Sequence, residues 1–222
     1  MTYAMTPSKR LVCEKCLRPQ RTCICHWITP ASNDVEVLFL QHPLEIDNAK
    51  GSARLLHLSL AHSQIITGEV FAEDELRTLL HAPFSHQDSD NKKTIQPLLL
   101  YPSTSEDGHI AIPSAWTHVP NDGAIQYRLV VIDGTWRKSR KILYLNPLLQ
   151  QLPRLPLSDL PPSHYRIRKA HKPDQLSSYE ATCYALMQLE NETEKYLPLL
   201  TAFDSFVDQI SSYDPNSKER KI

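Results

Sequence analysis

Four cysteines fall within thirteen residues, Cys13, Cys16, Cys23 and Cys25, in the spacing C-x2-C-x6-C-x-C. Thiolates that close can wrap one tetrahedral ion, and zinc is the usual occupant. With all four positions filled by protein the role is structural, and Arg18 and Arg21 lessen the repulsion inside a doubly negative tetrathiolate. Three alternatives stay open: unligated thiols or a redox pair, an iron–sulfur cluster, and His26 in place of one thiolate. The fifth cysteine, Cys183, falls on a helix face and reads as core.

A second constellation is Asp133-Gly134-Thr135-Trp136, directly after the apolar run 129–132. A carboxylate between a strand and a helix either caps the helix or acts as a general base or an acceptor for a substrate N–H. Trp136 is either core or a ring that faces a cationic or planar ligand. Arg137, Lys138, Arg140 and Lys141 fill the next two turns. Cations at a helix N-terminus oppose the macrodipole, so the placement points to a use such as phosphate contact, with a solvated face as the alternative. Arg166, Arg168, Lys169, His171 and Lys172 form a second basic run. Two such runs suit an RNA backbone, bound with salt-sensitive affinity.

Elements must hold these groups in place. Period-two and buried-type apolar runs predict strands at 35–40, 64–67, 97–101 and 128–132, with a short one at 165–167. Helical spacing predicts helices at 48–60, 73–80, 137–145 and 179–189, and a last one from Pro198 carrying Phe203, Phe206, Val207 and Ile210. Ser177-Ser178-Tyr179-Glu180 has the Ser-x-x-Glu spacing of a capping box. The stretches 103–123 and 147–162 read as irregular. Strands separated by helices predict an α/β fold with a mostly parallel sheet and flanking helices. In such sheets ligands bind beyond the carboxyl ends of strands, where both Tyr101-Pro102-Ser103-Thr104 and the Asp133 segment fall.

Composition sets the outer limits. With 41% apolar and 22% charged residues, a core forms and the surface stays soluble. No apolar run approaches the roughly 18 residues of a membrane helix. The first ten residues lack the apolar stretch of a secretory signal, so the expected address is cytoplasmic, with no membrane and no obligate protein partner. Net charge is −1, which excludes a uniformly basic coat. The charge is nonetheless partitioned: residues 133–172 hold nine Lys/Arg against two acids, and residues 1–30 hold five against one. The expected layout is a cysteine segment at 9–30, one domain at 31–210 and a flexible tail at 211–222.

Taken in order, Cys13-x2-Cys16-x-Arg18-Pro19-x3-Cys23-x-Cys25, His42-Pro43-x-Glu45, Tyr101-Pro102, Asp133-Gly134-Thr135-Trp136, Tyr165-x2-Arg168-Lys169 and Ser177-Ser178-Tyr179-Glu180-Ala181 resemble the DTW-domain family over about residues 11–190. The resemblance implies a tRNA-uridine aminocarboxypropyltransferase that moves the 3-amino-3-carboxypropyl group of S-adenosylmethionine to N3 of a uridine and releases methylthioadenosine. It also implies a SPOUT-like fold with a knotted C-terminal region (a trefoil knot) and a small zinc-binding segment at the N-terminus. Carried over by motif, Asp133, Thr135 and Trp136 would lie at the donor site, with Pro102, Ser103, Ser178, Glu180 and Ala181 as its neighbours. From its place at a strand end beside Trp136, Asp133 is expected to take the N3 proton. Arg137, Lys138, Arg140, Lys141, Arg166, Arg168, Lys169 and Lys172 would meet tRNA. Ser178 stands where the family often has Thr, and His171 interrupts the usual Arg-Lys-x-Pro run. Two rival readings are a SPOUT-like RNA methyltransferase and a non-catalytic zinc-containing RNA-binding module.

Overall fold

A computed structural model describes residues 11–84, 93–102, 113, 116, 123–157, 160, 161 and 176–213. Four strands form one sheet: β1 (Glu36–Gln41), β2 (Ser63–Thr67), β3 (Thr94–Leu100) and β4 (Ile125–Asp133). Their order is β2-β1-β4-β3 and every pairing is parallel. β1 and β4 are central. A central parallel strand is covered on both faces, so it needs an almost unbroken apolar run, and Leu129–Ile132 and Val37–Leu40 supply one. Burial of each such side chain contributes about 1.5–3 kcal/mol.

The alternation of side chains along these strands divides the core in two. Val37, Phe39, Leu98, Leu129 and Val131 face α1 (Ala53–Ser59), α5 (Ser178–Glu190) and α6 (Thr193–Ser212). Leu38, Leu40, Leu99, Val130 and Ile132 face α2 (Glu73–His81), α3 (Trp136–Leu145) and the short α4 (Pro147–Gln150). The result is a three-layer α/β/α sandwich. The sequence prediction of an α/β domain with a parallel sheet holds. Strand 165–167 lies outside the described residues, α4 interrupts a stretch expected to be irregular, and α6 begins at Thr193, five residues before Pro198.

Pro97 sits inside β3, where a missing N–H would break a ladder if it faced β4. The N–H of Leu99, two residues on, points outward to the carbonyl of Pro153 at 2.9 Å. Pro97 shares that orientation, so its ring occupies the outer edge and no bond to β4 is lost. Residues 153–155 run along this edge, with Leu155 N–H donating back to Leu99 at 3.1 Å and Arg154 bridging Leu99 in parallel.

Two helix ends set the site. α5 carries the capping box predicted from sequence: Ser177 Oγ accepts from Glu180 N–H, and Glu180 Oε2 accepts from Ser177 N–H at 2.9 Å. At its other end Glu190 Oε1 accepts from the N–H groups of Asp34 and Val35, just before β1. Thirteen helical residues and six extended ones both span about 20 Å. The capped end of α5 therefore reaches the carboxyl edge of the sheet.

Candidate active site and metal centre

β1 leads to α1 on one face of the sheet and β4 leads to α3 on the other. Neighbouring parallel strands whose connections leave to opposite faces open a crevice at their carboxyl ends. Gln41 and Asp133 are the last residues of those two strands and are register partners. Gln41 Nε2 donates to Asp133 Oδ2 at 3.0 Å, and both side chains are buried. The backbone closes the same corner, His42 N–H donating to the Asp133 carbonyl at 3.0 Å.

Asp133 does not cap α3, the structural role open to it in sequence. Thr135 takes that place, its Oγ1 accepting from Lys138 N–H at 3.4 Å. The Asp133 carboxylate instead turns to the sheet edge. Nor is Trp136 core. It is 43% exposed, its ring meeting Tyr101 edge-on at 5.9 Å between centroids. Gly134 allows the tight exit from β4: an added Cβ would lie 3.1 Å from Lys138 Cβ and 3.6 Å from His42 Cβ.

The cations of α3 are held by carboxylates that offset their place at the helix N-terminus. Lys138 Nζ pairs with Glu45 at 2.8 Å, and Glu45 is buried. Lys141 pairs with Glu69 at 2.7 Å. Glu69 also accepts from His42 Nε2. His42 Nδ1 accepts from Leu44 N–H at 3.1 Å, which puts the ring proton on Nε2. The Lys141 ammonium, and then His42, hold the Glu69 carboxyl below the usual carboxylate range. Arg137 and Arg140 are exposed on the same helix.

Pro102 is exposed just past β3, Ser178 and Ala181 are half-buried in the first turn of α5, and Glu180 is buried in its cap. The structure thus brings Pro102, Asp133, Thr135 and Trp136 to the carboxyl edge, with the α5 cap reaching the same level. Ser103, Arg166, Arg168, Lys169 and Lys172 lie outside the described residues. Sequence reasoning missed Gln41, Glu69 and Arg154. The strand-end rule that singled out Asp133 applies equally to Gln41, whereas only packing places Glu69 and Arg154.

The four cysteine sulfurs lie within 4.8 Å of one another. Cys13 and Cys25 approach to 3.6 Å, and Cys16 and Cys23 to 3.8 Å. A tetrahedron with metal–sulfur bonds of about 2.3 Å has edges near 3.8 Å, so the donor set fits a tetrahedral ion. Backbone N–H groups of Cys16 and Lys15 pull the Cys13 thiol down to about 6, whereas burial pushes the Cys25 thiol up to about 12, so metal binding at this cluster would release protons. Leu17 adopts the left-handed region at φ 59°, turning the chain between Cys16 and Arg18. The segment is tied to the rest of the fold. Trp27 Nε1 donates to Gln209 of α6 at 2.6 Å, and Arg18 donates to the carbonyls of Ala49 and Gly51 at 2.8 and 2.6 Å. Those carbonyls lie in the connection from β1 to α1, which begins at the Gln41 corner.

The fold is thus a parallel α/β sandwich with a carboxylate and an exposed indole at its switch point and a four-cysteine cluster buttressing the adjoining loop. The DTW domain family matches residues 10–211, and the chain belongs to that family. It is 30% identical over 196 residues to tRNA-uridine aminocarboxypropyltransferase 2 of Drosophila melanogaster, covering 85% of this chain and 70% of that protein. It is 26% identical to the protein of the same name from Macaca fascicularis, over 97% of this chain and 70% of that one. The Mus musculus protein of that name is 27% identical over 95% of this chain and 68% of its own length. No solved structure matches the chain.

Proposed function

We propose that this protein is a tRNA-uridine aminocarboxypropyltransferase that uses S-adenosylmethionine as donor and modifies N3 of a tRNA uridine. The observation that carries the reading is the likeness, over most of the chain, to relatives of that name. When bound, the donor supplies an electrophilic methylene: the N3–C bond forms as the C–S bond breaks, and the electron pair stays on sulfur in methylthioadenosine. The chain's own residues orient the reactants and accept the N3 proton.

Asp133 is the proton acceptor. Its carboxylate is buried, so a charge developing beside it is felt strongly, and Gln41 fixes its plane. Trp136 offers an exposed ring to the planar or cationic parts of the donor. Pro102, Ser103, Thr135, Ser178, Glu180 and Ala181 complete the donor site. Arg137 and Arg140 meet tRNA phosphates together with Arg166, Arg168, Lys169 and Lys172, while Lys138 and Lys141 divide their charge between RNA and the carboxylates that hold them. The four cysteines hold a structural zinc, which takes no part in the reaction and suits a reducing, cytoplasmic setting. The sheet is the core of a SPOUT-like fold whose C-terminal region carries a trefoil knot. Among the described residues no helix is long and apolar enough to cross a membrane.

The test is mass spectrometry of nucleosides after incubation with unmodified tRNA and the donor. A uridine heavier by one aminocarboxypropyl group, with methylthioadenosine released, supports the reading. Methylated uridine with adenosylhomocysteine would replace it with a methyltransferase. Binding of tRNA with neither product would replace it with a non-catalytic module.

A further inference from the structure

Arg154 is 3% exposed, a guanidinium carried into the protein by the strand-like segment that pairs with the edge of β3. Its Nε and Nη1 are shielded from solvent and have no hydrogen-bond partner among the described residues. Its Cζ lies 5.1 Å from the centroid of the Tyr101 ring. Tyr101 in turn meets Trp136, the first residue of α3. The three side chains form a row, guanidinium, phenol ring, indole, ending at the exposed indole beside Asp133.

A buried charge is tolerated when it is paired and hydrogen-bonded, and is strongly unfavourable otherwise. A ring face returns only a small part of that. Burial pulls the Arg154 pKa below its ordinary value, with Tyr101 acting in the opposite direction, and the described neighbours leave two of its nitrogens unpaired. The missing component is an anion with two oxygens, the shape that a guanidinium fork grips best. Two such anions reach an RNA-modifying site that uses adenosylmethionine: the α-carboxylate of the donor and a backbone phosphate. A phosphate diester is carried on a bulky strand, whereas the amino-acid arm is slender enough for a guanidinium this deep.

We infer that Arg154 receives the α-carboxylate of the donor's amino-acid arm, with Tyr101 and Trp136 walling the arm. This rests on the reading of the protein as an adenosylmethionine-dependent transferase. It makes Arg154 the residue that selects a donor by its carboxylate and holds the arm so that its own methylene, not the methyl, is presented to the nucleophile.

Calorimetry on the full chain, without tRNA, compares adenosylmethionine with its decarboxylated form, which lacks only the carboxylate. The intact protein should bind adenosylmethionine about 10- to 100-fold more tightly, the range for a charge-assisted hydrogen-bonded pair. Arg154→Gln should bind both alike, through loss of the first affinity alone. Arg154→Lys, which keeps the charge and loses the fork, should retain part of the difference. Equal binding of the two donors by the intact protein overturns the inference without the use of any variant. So does an equal loss for both donors in a folded Arg154→Gln, or a loss confined to tRNA affinity, which would assign the guanidinium to phosphate. Failure of the intact protein to bind either donor would instead overturn the transferase reading, and this inference with it.

Discussion

Gln41 and Asp133 end the two central strands side by side, and the amide of one donates to the carboxylate of the other at 3.0 Å. The bond orients a buried acceptor at the switch point of the sheet. In Asp133→Asn the amide can still accept from Gln41 but cannot take a proton, so turnover should fall about 100-fold or more while donor affinity stays within a few fold. Gln41→Leu should leave the carboxylate in place and lower turnover about 10-fold through misorientation. Single-turnover assays with donor titrations measure both. Unchanged turnover in Asp133→Asn would remove it from the chemistry.

Lys138 and Glu45 form a pair that is lopsided in burial, with the lysine 24% exposed and the glutamate 1%. Lys138→Met leaves a carboxylate with one fewer partner in the interior and should destabilise the protein by about 2 kcal/mol. Arg137→Glu, on an exposed position of the same helix, should leave stability within about 0.5 kcal/mol and weaken tRNA binding. Denaturant titration separates the two, and equal stability losses would contradict the assignment of Lys138 to the fold.

Removing the metal should loosen more than its own segment. Elemental analysis should find one zinc per chain. Extraction by a chelator, or Cys16→Ser, should lower Tm by about 2–4 °C for each kcal/mol lost in a chain of this size. Because Arg18 grips the Ala49 and Gly51 carbonyls, amide exchange should also quicken in the connection from β1 to α1. Protection there that survives metal loss would show that the two regions are independent.

Leu17 is 57% exposed and left-handed, a conformation that disfavours any side chain with a Cβ. Leu17→Gly should be neutral or stabilising by up to about 1 kcal/mol, the steric strain relieved at φ 59° matching or exceeding the entropy cost of ordering a glycine. Leu17→Val should destabilise. Thermal melts of the zinc-loaded protein decide, and the opposite order would refute the strain.

His57 on α1 faces Ser63 at 2.9 Å, and burial, with Arg54 next in effect, lowers its pKa from 6.5. The unfolded chain takes up this proton near pH 6.5 and the folded chain only at lower pH. Stability is therefore full above pH 6.5 and is lost as pH falls through the folded pKa. In His57→Gln that part of the acid loss should vanish, as read from denaturation midpoints between pH 5 and 7.5. An unchanged pH profile would shift the cause to other groups.

What could be read in sequence followed from local chemistry. The Ser177–Glu180 box and the apolar run of β4 are written in neighbouring residues, and the α/β class follows from their alternation. The cysteine spacing alone pointed to a tetrahedral cluster. What escaped depends on long-range pairing. Glu69 reaches Lys141 across 72 positions, and Arg154 reaches Tyr101 only because residues 153–155 align with β3. Thr135 displaced Asp133 as the cap because either side chain can serve at a strand-to-helix turn. Only the register with Gln41 decides which one turns to the sheet.

Pro97 leaves one rung of the outer margin of β3 without a donor, and residues 153–155 occupy the rungs beyond it. A foreign strand arriving between Pro97 and Leu99 finds the binding positions either taken or mute. Along the stretch from Pro97 to Leu99 sheet extension is thereby disfavoured.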